Sequence, residues 1–141
     1  MTIASILQGK PQVVTVAPDT RVADVVALLA ERRIGAVPVM DGARVAGVFS
    51  ERDVIIGLAT GGAATLERAV GEVMTSPAVT VAPGESAIAA LALMTRRRIR
   101  HLPVLDGGAL VGVVSIGDLV KHRIERIEAD ADSMRAYITQ A

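Results

Sequence analysis

The chain has 141 residues, 51% of them apolar, and its 15 basic side chains are matched by 15 acidic ones, so the formal charge is zero. That balance argues against a general polyanion-binding surface, and the lack of cysteine excludes disulfides, thiol catalysis and thiolate metal sites. Phe49 and Tyr137 are the only aromatic residues, too few for a platform that stacks nucleic-acid bases. The longest wholly apolar run, Ala87 to Met94, falls well short of the roughly 18 residues a membrane span needs. The opening MTIASILQGK has neither a charged n-region nor a long apolar stretch, so no secretory signal and a cytoplasmic location are expected.

In chain order, Ile3 to Gln8 predicts a short helix, and Val13 to Val16 a β-branched strand stopped by Pro18. Val22, Val25, Val26 and Leu29 then follow at helical spacing. Val37 to Met40 and Val45 to Phe49 flank Asp41-Gly42, a hairpin turn. A second apolar helix follows, and Gly61-Gly62-Ala63-Ala64 reads as a linker. From there the pattern returns. Leu66 to Met74 matches the first short helix and Val79 to Val81 the first strand; Ala87, Ala90, Leu91 and Met94 keep the helical register. Leu102 to Leu105 and Leu110 to Val114 flank Asp106-Gly107 as a second hairpin.

The two halves are one unit written twice. Residues 14–55 align with 79–120 at a constant offset of 65, without a gap, and agree at 18 of 42 positions. Each copy alone would bury only about 60% of its surface, so the copies should pack against each other about a pseudo-twofold axis. Two features leave apolar surface to spare. The segment Ala87 to Met94 is apolar all the way round, and the last helix, expected from Gly117 to Ile138, sets Val120, Ile124, Ile127, Ala131, Met134 and Ile138 at alternating steps of four and three. A homodimer is expected on these grounds.

The chemistry-bearing motif closes each copy: GVFSERD at Gly47 to Asp53 and GVVSIGD at Gly112 to Asp118. Ser three residues before Asp, ahead of an apolar run, is close to a helix-capping box, and capping alone would explain each motif. A helix N-terminus also suits an anion, and a carboxylate beside it can accept hydrogen bonds from a ribose diol. His101 and His122 have no evident third metal ligand, and no base is placed to activate either Ser, so an enzyme is not expected.

The VTVAP openings, the IxxxPVxD centres and the closing Gly-x-x-Ser-x-x-Asp, present twice in order, resemble a tandem pair of cystathionine-β-synthase (CBS) domains, a Bateman module. The resemblance implies an α+β fold of two βαββα repeats with an extended C-terminal helix: repeats at 1–60 and 61–123, and the extension at 124–141. It implies a regulatory sensor, with AMP, ADP, ATP, NAD(H) or S-adenosylmethionine in clefts between the repeats and a regulated protein partner. The other reading is a structural dimerisation module with degenerate clefts. Carried over residue by residue, Ser50 and Asp53 mark one cleft and Ser115 and Asp118 the other. Main chain at Val14 and Thr15, or at Val79 and Thr80, would meet adenine. Arg52, Arg98, Arg100 and His101 are the candidate phosphate ligands. The copies differ here, since Arg100 and His101 replace Gly35 and Ala36, whereas Arg52 becomes Gly117. Arg52 and Arg100 are expected to converge on a phosphate at Ser115, which makes the Asp118 cleft the first choice.

Overall fold

The structure, a computed structural model, describes residues 1–140. Six α-helices and four strands follow in order: α1 (Ile3–Leu7), α2 (Val22–Arg32), β1 (Ala36–Asp41), β2 (Arg44–Ser50), α3 (Glu51–Gly61), α4 (Val70–Val73), α5 (Ala87–Arg97), β3 (His101–Asp106), β4 (Ala109–Ser115) and α6 (Ile116–Gln140). A 3-10 helix at Gly62–Glu67 lies between α3 and α4. Among the described residues no helix is long and apolar enough to cross a membrane.

The hairpins form where the turn dipeptides place them. β1 pairs antiparallel with β2, Val37 opposite Phe49, and β3 pairs with β4, Leu102 opposite Val114. Gly42 and Gly107 take φ of +62° and +59° at the turns, a region costly for any residue with a Cβ. Both hairpins carry a register shift at the same place, Val39/Met40 and Val104/Leu105, so the duplication extends to the irregularities.

The opening strands are shorter than expected. Each touches its hairpin at one parallel bridge: Val16 N–H donates to Pro38 O at 3.1 Å and Met40 N–H to Val16 O at 2.8 Å, with Val81, Pro103 and Leu105 repeating the pattern. The prolines two residues on, Pro18 and Pro83, cannot donate to a ladder, and the chain turns into α2 and α5 instead. The expected linker is also a correction. Gly61 ends α3 and the 3-10 turn follows at once, held by Thr65, which is buried and donates to Gly57 O at 2.7 Å.

Two separate cores result. Phe49 packs with Val22, Val25, Leu29, Val37 and Val39 in the first; Met94 packs with Ala90, Leu102, Val104, Val114 and Leu119 in the second. The short helices are exchanged between them. Ile3 of α1 is buried in the second core, with its N–H on Glu85 O at 2.9 Å, while Val70 of α4 is buried in the first, with its N–H on Thr20 O at 2.7 Å. This crossing ties the repeats together, and β2 meets β4 between them. The second face of α5 stays open: Ile88, Ala89 and Ala92 are exposed.

Candidate nucleotide site

The Ser-x-x-Asp motifs are capping boxes, as the local sequence dictates. Ser50 is the N-cap of α3, its Oγ accepting from Asp53 N–H at 3.4 Å while Ser50 N–H donates to Asp53 Oδ2 at 2.9 Å. The second motif repeats this at the start of α6: Asp118 N–H donates to Ser115 Oγ at 3.1 Å, and Ser115 N–H to Asp118 Oδ2 at 2.8 Å. Each box fixes a carboxylate at the mouth of a helix N-terminus, half-buried, with lone pairs left over.

The two carboxylates differ in their outer neighbour. Thr75, on the segment after α4, donates its hydroxyl to Asp53 Oδ1 at 2.9 Å, while its main chain pairs with Val48 through N–H to O contacts of 2.9 and 3.0 Å. On the corresponding segment after α1, Lys10 ion-pairs with Asp118 Oδ2, and its Nζ also donates to Val113 O at 2.9 Å. Burial raises the pKa of the Asp118 carboxyl, but the Lys10 ammonium and the Ser115 donors outweigh it and hold the carboxyl below its ordinary value. Neither Lys10 nor Thr75 was singled out by the motifs. They stand at the same offset of 65, four residues before the matching stretch begins, where the copies share no residue, so identity between the copies gives no signal for them.

Beside Asp53 lies a cavity of about 820 Å³, within the range of small-molecule sites. Ser50, Arg52 and Asp53 line it from the first repeat, and Val79, Arg98, Arg100 and His101 from the second. Its apolar wall includes Ile56, Met94 and Ile99. The expected convergence of Arg52 and Arg100 on Ser115 is therefore corrected. Both side chains open onto the cavity at Ser50, and Arg52 Nη1 reaches Arg98 O at 3.4 Å. The reason is local: Arg52 sits in the first turn of α3, whereas Arg98, in the left-handed conformation at φ 55°, ends α5 on the facing repeat and turns its carbonyl towards it. Ser115, Asp118, Val14, Thr15 and Thr80 are not in the lining of this cavity.

His101 explains the asymmetry at the centre. A Cβ on Gly35 would stand 3.0 Å from His101 Cε1 and 3.3 Å from Glu51 Oε1, so the ring crosses towards the first repeat and occupies the space that a side chain at 35 would need. Burial lowers the imidazole pKa; Glu51 and Asp118 oppose that, while Lys10 and Arg100 add to it, and the ring stays below its ordinary value. The cavity thus collects three guanidiniums, the His101 imidazole, the Glu51 carboxylate and the capped Asp53 carboxylate. An anionic group and a polyol on one ligand match that arrangement.

Comparison with known proteins agrees with the architecture. A family model, the CBS domain, matches twice, at residues 4–59 and 70–125. A protein with CBS domains from Burkholderia ambifaria MC40-6 superposes with a TM-score of 0.84 at 43% identity, covering 89% of this chain and 95% of that one. A CBS domain protein from Pyrobaculum aerophilum complexed with AMP superposes at 0.75 with 29% identity, covering 84% and 89%. A mitochondrial CBS domain-containing protein of Arabidopsis thaliana is 32% identical over 125 residues, 85% of this chain and 61% of its own length. The chain spans only 20% of the inosine-5'-monophosphate dehydrogenase of Mycobacterium leprae, to which it is 41% identical over 111 residues. The chain belongs to the CBS domain family and carries two copies of the domain.

Proposed function

We propose that this CBS-domain pair is a regulatory module that binds an adenine nucleotide in the cavity at Ser50 and Asp53 and relays its occupancy to a protein partner. The observation that carries this reading is the convergence of Arg52, Arg98, Arg100 and His101 on one cavity beside the capped Asp53 carboxylate, in a chain with no net charge. Asp53 accepts from the ribose diol, the arginines take the phosphate, and the adenine lies against the main chain at Val79 between apolar side chains. The AMP held by the Pyrobaculum relative supports AMP as the first ligand to test. The relay has a physical route. Ile116, the first residue of α6, lines the cavity, and its N–H donates to Arg100 O at 2.8 Å. A phosphate that draws on Arg100 therefore acts on the start of a 25-residue helix.

AMP has about 23 non-hydrogen atoms, and at roughly 0.3 kcal/mol per atom binding amounts to about 7 kcal/mol, or a Kd of about 10 μM. Calorimetric titration with AMP, ADP, ATP, NADH and S-adenosylmethionine tests the proposal. Arg100→Ala should weaken AMP more than adenosine; no heat with any of these ligands at millimolar concentration removes it.

A further inference from the structure

The C-terminal helix α6 is the least explained part of the molecule. The family match ends at residue 125, yet the helix continues to Gln140, and the seam from Ile127 onwards lies outside the CBS repeats. Along it Val120, Ile124, Ile127, Met134 and Ile138 are between 44% and 64% exposed, a continuous apolar strip with Ala131 in its middle.

The side of α6 that meets the body is a different one. The groove between α5 and α6 is lined by Ile88 and Leu91 on one side and by Leu119, His122, Arg123, Arg126 and Asp130 on the other. With Ile124, Ala131 and Ile138 assigned to heptad position a, and Val120, Ile127 and Met134 to d, Leu119, His122 and Arg126 fall at c, f and c, on the helix's far side, and Arg123 and Asp130 fall at g, along one flank of the seam. The body thus meets α6 along its back and one flank, and the a/d seam itself stays exposed.

We propose that this seam pairs in parallel and in register with the α6 of a second copy of the chain. Flanking charge selects both the occupant and the orientation. In a parallel pair each g residue faces the e residue five positions on in the partner, which sets Arg123 against Glu128 of the second copy and Asp130 against Arg135, each twice by symmetry. Both are opposite-charge contacts. An antiparallel pair that sets Ile124 against Ile127 also matches its charges, Arg123 with Asp130 and Lys121 with Glu128, but leaves Met134 and Ile138 uncovered. Centring the antiparallel pair lower, with Ile127 against Ile138, leaves Val120 and Ile124 uncovered. The antiparallel register that sets Ile124 against Met134 covers all six seam positions but places Asp130 against Asp130 and Glu128 against Glu128, so parallel pairing alone covers all six with opposite charges at both Arg123–Glu128 and Asp130–Arg135. Arg135 and Asp130 now make only exposed contacts within the helix, to Asp132 at 3.0 Å and Arg126 at 3.9 Å, which cost little to exchange.

The absence of cysteine makes the test direct. In full-length protein, Ile124→Cys and Ile138→Cys variants should each oxidise to a disulfide-linked dimer, because a-to-a′ pairs in a parallel coil lie within disulfide reach; Ala129→Cys, on the outer face, should not. Analytical ultracentrifugation of the unmodified chain should give a dimer at micromolar concentration. Ile127→Asp should weaken it more than tenfold while circular dichroism stays native, and Glu128→Arg should weaken it in a way that Arg123→Glu reverses. A monomeric parent chain overturns the proposal. So does a dimer indifferent to Ile127→Asp, or cross-linking at only one of the two seam positions, which is the antiparallel result.

Discussion

Lys10→Ala should open a second nucleotide site. Lys10 holds Asp118 and Val113 O together, so a ribose approaching the second cleft finds its acceptor already paired. Asp53 has only the neutral Thr75 hydroxyl in the comparable place. The side chains of Lys10 and Asp118 are 33% and 26% exposed, which puts their pair between a solvated ion pair, about 0.2–1 kcal/mol, and a shielded charged hydrogen bond, about 1.5–3 kcal/mol. A ligand that must displace Lys10 therefore pays about 1–2 kcal/mol, a factor of about 5–30 in affinity.

The unmodified chain should accordingly bind one AMP tightly, and Asp53→Ala should abolish that binding. Adding Lys10→Ala to Asp53→Ala should restore a single site, seen by calorimetry as a return of heat at stoichiometry near one. Should Asp53→Ala bind as well as the parent, the ranking of the clefts is wrong. Should Lys10→Ala instead weaken binding, Lys10 holds the phosphate, and the account of it as a plug fails. The same contact leaves a signature in acid. A carboxyl held below its ordinary pKa adds stability at neutral pH that is lost as pH falls through the lowered value, and Lys10→Ala should reduce that loss.

Gly35→Ala should cost about 1 kcal/mol, because the added Cβ meets the tip of the His101 ring, which can yield; differential scanning calorimetry should show the cost disappear in combination with His101→Ala. His101 should make stability fall as pH drops below about 6.5, where the unfolded chain takes up a proton that the buried ring in the folded protein refuses, with no further fall once pH passes the folded value. The groups that set that folded value are Glu51, Lys10, Asp118 and Arg100, so the slope should vanish in His101→Gln but only change in size in Lys10→Ala.

The parts of the fold legible in the sequence are those that local physics decides. The hairpins follow from a Gly with positive φ between β-rich runs, and α2 buries Val22, Val25 and Leu29, three of the four residues its spacing selects, with Val26 packed against the same core. The Ser-x-x-Asp boxes close as their spacing demands. What periodicity cannot encode is which repeat a segment serves. Ile3 and Val70 carry the apolar signal of short helices, yet each completes the core of the other copy's hairpin. The site follows the same division. Its residue types were legible as a set, but the placement of Arg52 depends on how α3 faces the end of α5 across the axis, and Lys10 acts from a stretch where the copies keep their offset but share no residue. The difference between Gly35 and its counterpart Arg100 is visible in the sequence, but not that Gly35 leaves the space into which His101 fits.

The cleft and the exposed seam share a single helix, and that places a thermodynamic condition on the relay. If AMP in the cavity shifts the dimer equilibrium by some factor, dimerisation must shift AMP affinity by the same factor, since the two binding free energies are linked. The link runs from Arg100 through the Ile116 N–H to the first turn of α6, about four residues before the seam begins at Val120. A change of helix direction at that point is carried along its full length, because a helix bends little without a Pro or a break in its hydrogen bonds, and α6 contains no Pro. The dimer Kd measured by ultracentrifugation with and without saturating AMP gives one ratio. The AMP Kd of the parent dimer against that of the monomeric Ile127→Asp chain gives the other. The relay expects both ratios to differ from one and to agree. Two ratios of one would mean that the cleft and the seam operate independently, and that the signal leaves the molecule by some surface other than α6.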